Sequence, residues 1–165
     1  MATRTRERQE NEALYYNSGT LQTPVWERIG VGVSSAAESA NAKTEDVQDI
    51  DQTIGETVMV SLKPAYAYSM NRVVGDGFND FIAGVHFDQL VGQTCEILTV
   101  AHYVGETSPY KARRATFGVV QDAGASGDAG SMLVLSGNLN QSGDAELGTA
   151  TYATSADTPV FTEES

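Results

Sequence analysis

A single cysteine, Cys95, in 165 residues excludes an internal disulfide and any cysteine cluster around a metal. It lies in the apolar run "TCEILTV", where a cysteine acts as a small buried hydrophobe, and no histidine stands beside it in a nucleophile motif. Histidine is almost as scarce. His86 and His102 offer no H-x-x-x-H or acid-flanked ligand spacing, so each reads as a structural imidazole. Apolar runs last only a few residues, too short to span a bilayer as a helix. The start, "MATRTRERQENEALYY", has no apolar h-region, so a secretory signal is not expected and a cytoplasmic site of synthesis and residence is. Positive charge is also in short supply, with 10 Lys and Arg against 22 Asp and Glu and a net charge of −12. Such a chain repels a phosphate backbone, which excludes tight nucleic-acid binding through counterion release.

The apolar fraction, 41%, is ordinary for a folded protein, and the length suits one domain. The acids are unevenly placed. Residues 122–165 hold seven acids and no Lys or Arg, and residues 36–57 hold six acids against Lys43 alone. Alternating Arg4, Arg6, Arg8 and Glu7, Glu10, Glu12 bury nothing, and predict a flexible N-terminal arm within residues 1–22, ahead of a domain over residues 23–165.

Strand period appears in "VWERIGVGVS", with Val25, Ile29, Val31 and Val33 on one side. Residues 35–56 form a polar, acidic stretch too long for a tight turn, expected to be a long acidic loop ordered by a partner. In "TVMVSLKPAYAYSM", Val58, Val60, Leu62, Pro64, Tyr66, Tyr68 and Met70 share one strand face. Pro64 marks an edge or a bulge there, because it cannot donate to a ladder. The period then changes in "GDGFNDFIAGVHFDQLVG". Phe78, Phe81, Ile82, Val85 and Gln89 predict one short helix capped by Asp76 or Asn79, with Phe87 off the stripe. Further strand-like runs are "CEILTVAHYV", "RRATFGVVQ", "SMLVLSGNL" and "LGTATYA". The expected fold is therefore mainly β, an antiparallel β-sandwich with one packed α-helix.

The glycine-rich segments do not carry phosphate chemistry. "IGVGVSS" lacks the third glycine and the helix of a dinucleotide fingerprint, and "GASGDAGS" lacks the lysine of a phosphate loop and reads as a connection between strands. In "LSGNLNQSGDAELGT" the acids Asp144 and Glu146 would repel an anion. Ser142, Gly143 and Asp144 instead predict the turn of a hairpin whose return strand is residues 147–152. Asp46, Asp49 and Asp51 fail the spacing of a calcium loop. No nucleophile has a base and an orienter, so no enzyme, cofactor or metal site is expected. Lys111, Arg113 and Arg114 form an isolated basic cluster, expected with Glu38, Glu45, Asp46, Asp49 and Asp51 to make contacts between subunits.

The order of "TPVWERIGVGVSS", "VSLKPAYAYSMNRVVGDGFNDFIAG", "ARRATFGVV" and "SGNLNQSGDAELGTATY" resembles the tail tube proteins of tailed bacteriophages, from about Thr23 to near the C-terminus. The resemblance implies a non-enzymatic virion protein, made in the host bacterial cytoplasm. Its copies would form hexameric rings that stack into a tube for DNA ejection. It implies that adjacent subunits line the lumen with shared strands, that the loop over residues 38–51 helps join rings, and that DNA passes an acidic lumen without specific binding. The implied partners are further copies and the tape measure, terminator and distal tail proteins, with no membrane. Two alternatives remain at this level: the inner tube of a contractile tail, and a carbohydrate-binding β-sandwich that stacks sugars on Tyr66, Tyr68 and Tyr103.

Overall fold

The computed structural model describes residues 12–51, 53–104, 107–152 and 158–164. Its strands are β1 (Glu12–Asn17), β2 (Trp26–Arg28), β3 (Val33–Ser39), β4 (Lys43–Val47), β5 (Glu56–Ser61), β6 (Ala65–Asn71), β7 (Thr94–Ala101), β8 (Tyr110–Ser126), β9 (Val134–Tyr152) and β10 (Pro159–Glu163). One α-helix, α1 (Gly77–Phe87), lies between β6 and β7. Eight strands make a curled antiparallel sheet in the order β2–β1–β7–β8–β9–β6–β3, with β10 added to β9, while β4 and β5 pair only with each other as a ribbon. The expected class, mainly β with one packed helix, is the class observed.

Helix α1 starts where its sequence says it should. The Asp76 side chain accepts the Asn79 backbone N–H at 3.0 Å, a cap of a kind that contributes about 1 kcal/mol. The Asn79 amide then ties the helix to the end of β6: Oδ1 accepts from Val73 N–H at 3.1 Å, and Nδ2 donates to Asn71 C=O at 2.9 Å. Phe78, Ile82 and Val85 are buried, whereas Phe87, off the stripe, is 89% exposed. The helix covers a core of Tyr66, Tyr68, Met70, Phe78, Ile82, Cys95, Ile97, Phe117, Leu135 and Leu139.

Strand β7 explains why a single sheet can enclose two cores. Cys95 and Ile97 face the helix side, while Leu98 and Val100 join Ala13, Tyr15, Trp26, Ala112 and Ala150 in the second core. Alternate side chains of a strand point to opposite faces, so a strand buried on both reads as the continuous apolar run seen in "CEILTVA".

Several local expectations are corrected. The segment over residues 25–34 is two strands, β2 and β3, joined by a turn, and Val25 and Val31 are exposed. The segment over residues 58–70 is likewise two strands, β5 and β6, in different sheets. Its second half behaves as read, with Tyr66, Tyr68 and Met70 buried, but Val58, Val60 and Leu62 are exposed. Pro64 sits in the break, where Lys63 N–H bonds Ala40 C=O at 3.0 Å and Asn41 Nδ2 bonds Lys63 C=O at 3.1 Å, clamping the foot of the ribbon. The acidic loop over residues 35–56 is thus about half strand: β3 runs on to Ser39, β4 spans Lys43–Val47, and β5 begins at Glu56. Within residues 1–22, β1 is an interior strand between β2 and β7, and Ala13 and Tyr15 are buried. Of the arm expected over residues 1–22, residues 1–11 lie outside the described residues.

The hairpin turn expected at Ser142, Gly143 and Asp144 does not exist. Strand β9 continues through it for 19 residues. Its register against β8 jumps there, from Thr116↔Ser142 to Arg114↔Glu146, so extra residues bulge out of β9. Gly143 takes φ +85, which a residue with a Cβ rarely adopts, and the bulge bends the strand so that one half pairs with β6 and the other with β10. The actual reversal is the "GASGDAGS" region, between Ser126 and Val134.

Candidate assembly surfaces

The groups that could do chemistry are occupied in packing. Burial raises the Cys95 thiol to about 12, so it is not a nucleophile near neutral pH. His86 Nε2 meets the Tyr68 hydroxyl at 2.9 Å and His102 Nε2 meets that of Tyr152 at 3.1 Å, and burial lowers both imidazoles below their ordinary pKa. Burial also raises the Tyr68 hydroxyl to about 12. No group of three or more His, Cys, Asp or Glu side chains that could hold a metal occurs among the described residues. Tyr66 and Tyr68 are buried and only Tyr103 is half exposed, which removes the three-tyrosine sugar platform.

The basic cluster has partners within its own chain. Arg113 Nη2 donates to the Tyr66 hydroxyl at 3.0 Å and pairs with Glu38 of β3, with Glu12 of β1 at 3.8 Å. The guanidinium so bridges three strands that the sequence keeps far apart. Burial works against its charge, but Tyr66 and Glu38 more than offset this and raise its pKa. Glu12 moves the other way from a typical paired acid: burial, then the nearby Glu38, raises its carboxyl above the usual range despite Arg113. Arg114 pairs with Glu146, Nε to Oε2 at 2.7 Å, and its guanidinium lies 5.5 Å from the Phe161 ring. The expectation that the two arginines seek acids of a neighbour was motivated by their isolation, and in the structure neither is isolated. Lys111 is exposed on β8.

The other predicted interface residues lie elsewhere, apart from Glu38, which Arg113 holds against the sheet. Glu45 and Asp46 are on β4, where Glu45 pairs with Lys43 at 3.0 Å and Asp46 accepts the Thr57 hydroxyl at 2.6 Å from β5. Asp49 and Asp51 are exposed beyond β4. Sequence reasoning reads residues 35–56 as acidic and Val58 and Val60 as an apolar strand face, and does not join the two segments in one ribbon. Val47, Ile50, Ile54, Val58, Met59 and Val60 are all exposed, on a two-stranded ribbon with neither face covered. A two-stranded sheet alone is at best marginally stable in water, so this ribbon calls for a partner.

A third surface differs in kind. On the side of β3, β6, β9 and β8 away from the helix, cross-strand register aligns Ser35, Ser69 and Ser136 in one row and Ala37, Ala67, Asn138 and Val120 in the next. These side chains are small or uncharged, and none is buried. The wall is four strands wide and ends at β3, which pairs with no further strand among the described residues.

Comparison with known proteins bears on these surfaces. A chain from the tail of an empty gene transfer agent particle, refined with helical and C6 symmetry, superposes with a TM-score of 0.62 at 13% identity, covering 85% of this chain and 97% of that one. The fold is shared with phage-tail-like particles. A chain from the virion of a native gene transfer agent particle gives a TM-score of 0.61 at 15% identity, covering 86% and 98%. A chain from a 6-fold symmetrised baseplate of the anti-feeding prophage gives 0.51 at 11% identity, covering 89% and 97%. No protein-family model matches the chain, and no curated protein matches it. The tail-protein resemblance read from the order of its segments thus agrees with the fold. Almost the whole of each relative is covered.

Proposed function

We propose that the protein is a structural virion subunit, without enzymatic activity, whose copies form six-membered rings that stack into a tail tube. The observation that carries this reading is the exposed apolar ribbon on a fold shared, over 85% of the chain, with a tail refined under C6 symmetry. In this reading the small, uncharged wall of β3, β6, β9 and β8 faces the bore. A wall without cations gives a phosphate backbone nothing to release counterions against, so DNA passes without stalling. The net charge of −12 acts from farther away in the same sense. The β3 edge is where the sheet of an adjacent copy would continue it within a ring.

Negative-stain electron microscopy of concentrated purified protein tests the reading. Rings or tubes of uniform bore are expected. A strictly monodisperse monomer under all conditions tried would overturn it. Rings that never stack would fit a baseplate component instead, the setting of the third structural relative.

A further inference from the structure

Two strands that lie far apart in the sheet meet over one guanidinium. In the order β2–β1–β7–β8–β9–β6–β3, five ladder steps separate β1 from β3. Glu12 of β1 and Glu38 of β3 nevertheless both face Nη2 of Arg113 on β8, because the curl brings the two flanks of the sheet together. The place is largely closed to water, with the Glu12, Glu38 and Arg113 side chains 15%, 28% and 36% exposed. Nη2 carries two protons. One goes to the Tyr66 hydroxyl at 3.0 Å and the other to Glu38, so Glu12, at 3.8 Å, lies beyond hydrogen-bond reach of that nitrogen. The Tyr66 hydroxyl is itself taken up by Arg113 and by Thr99 Oγ1 at 3.1 Å. Glu12 finds its partner in Glu38. Ionised carboxylates only accept, so a hydrogen bond between the two needs a proton on one of them. Arg113 lies closest to Glu38, which leaves the proton on Glu12. Burial and the facing Glu38 accordingly raise the Glu12 carboxyl above its usual range, against the pull of Arg113. Tyr103, Lys111 and Glu164 share a hollow of about 160 Å³ beside Glu12. Lys111 and Glu164 are exposed and opposite in sign, so they leave the charge balance at the pair unchanged.

We propose that Glu12 and Glu38 form a proton-held clasp, in which one shared proton closes the two flanks of the sheet over Arg113 and its loss lets β1 and β3 part. The clasp belongs to the free subunit and does not depend on a tube. Glu38 is the last residue but one of β3, just before the chain leaves for the β4–β5 ribbon, so the clasp sets how firmly the root of the ribbon is held. Below the ordinary carboxyl range Glu12 is protonated whether the flanks are closed or apart, and the clasp holds fully. As pH rises through the folded pKa of Glu12 the proton leaves, two anions face each other across one cation, and the contact weakens.

Carbon-13 NMR of the dilute, unassembled full chain follows the Glu12 carboxyl from about pH 4 to about pH 8. It should titrate above its ordinary value of 4.5, and Glu38→Gln, which removes the facing charge, should move the midpoint down. Hydrogen exchange, corrected for intrinsic rates, should show the amides of β1 and β3 losing protection several-fold as pH rises across the parent's midpoint. Glu12→Gln puts an amide donor where the acid proton was, and should hold that protection level over the same range. His86 and His102 change stability in the opposite sense with pH, so a loss confined to β1 and β3 reports on the pair. A Glu12 carboxyl that titrates at or below its ordinary value, or a midpoint that stays in place in Glu38→Gln, would overturn the clasp. So would protection in the parent that does not fall with pH, or a fall that persists undiminished in Glu12→Gln. Where a variant does not fold, the parent's own titration and exchange profile decide.

Discussion

Replacing Arg113 by alanine should destabilise the subunit itself, before any question of assembly arises. The guanidinium loses its bond to the Tyr66 hydroxyl at 3.0 Å and its pairing with Glu38, and the more distant Glu12 at 3.8 Å loses its nearest cation. Hydrogen bonds to charged groups are worth roughly 1.5–3 kcal/mol when buried. The Arg113 side chain is 36% exposed, so solvent screening brings the expected loss down to about 1–2 kcal/mol. For a domain of this size that is a fall in Tm of about 2–8 °C. Thermal melts of dilute, unassembled protein measure it. A double-mutant cycle with Glu38→Gln should show a coupling of at least ~0.5 kcal/mol. The pH dependence adds a second reading. Glu12 has a folded pKa above its ordinary value of 4.5, so the stability it contributes is complete below that value and is lost as pH rises through the folded pKa. Arg113 lowers that pKa, so its removal extends the loss to higher pH, and the penalty should be larger at pH 7 than at pH 4. A melting temperature within about 1 °C of the parent, or strictly additive substitutions, would refute the reasoning. The same geometry predicts that reversing both arginines to glutamate harms the fold of the monomer.

Two further outcomes follow from packing and titration. Gly137→Ala places a Cβ 2.5 Å from the Tyr68 hydroxyl and closer still to the Val120 carbonyl, so chemical denaturation should show a loss of more than about 2 kcal/mol, whereas Gly124→Ala, which meets nothing within 4 Å, should be nearly neutral. His86 and His102 both have pKa values lowered mainly by burial, so the stability they contribute is present above about pH 6.5 and is lost as pH falls through their folded values. Urea midpoints at pH 7.5 and 5.5 should therefore differ in favour of the higher pH, and equal midpoints in both the parent and a His86→Gln variant would contradict this.

What could be read from the sequence was local. The helix announces itself through an acid cap at Asp76 and a stripe of Phe78, Ile82 and Val85, all set within three turns. Tyr66, Tyr68 and Met70 alternate into a core as alternation predicts. The bend at Gly143 misled because Ser-Gly-Asp has the composition of a turn, and the same composition serves a bulge that keeps the strand going. Strand β1 was hidden by its charged approach, and only pairing with β7, more than 80 residues on, reveals it as interior. The Arg113–Glu38 pair spans 75 residues of sequence, and no spacing rule brings such partners together.

The ribbon shows most directly where pattern and burial part company. Val58 and Val60 alternate as cleanly as Tyr66 and Tyr68, and by alternation alone they share one face of one strand. Alternation specifies only that a segment has an apolar side. Which surface receives that side is decided by the rest of the fold, and here the turn through Pro64 sends β5 away from the sheet that buries β6. A valine-rich strand that its own chain leaves uncovered, edged with Glu45, Asp46, Asp49 and Asp51, has two properties at once. The acids oppose indiscriminate pairing along an exposed edge, and the aliphatic face favours one well-shaped receiver. That combination is a poor design for a protein that acts as a monomer through a pocket. It is a sound one for a subunit whose function lies in the surfaces it shares with copies of itself.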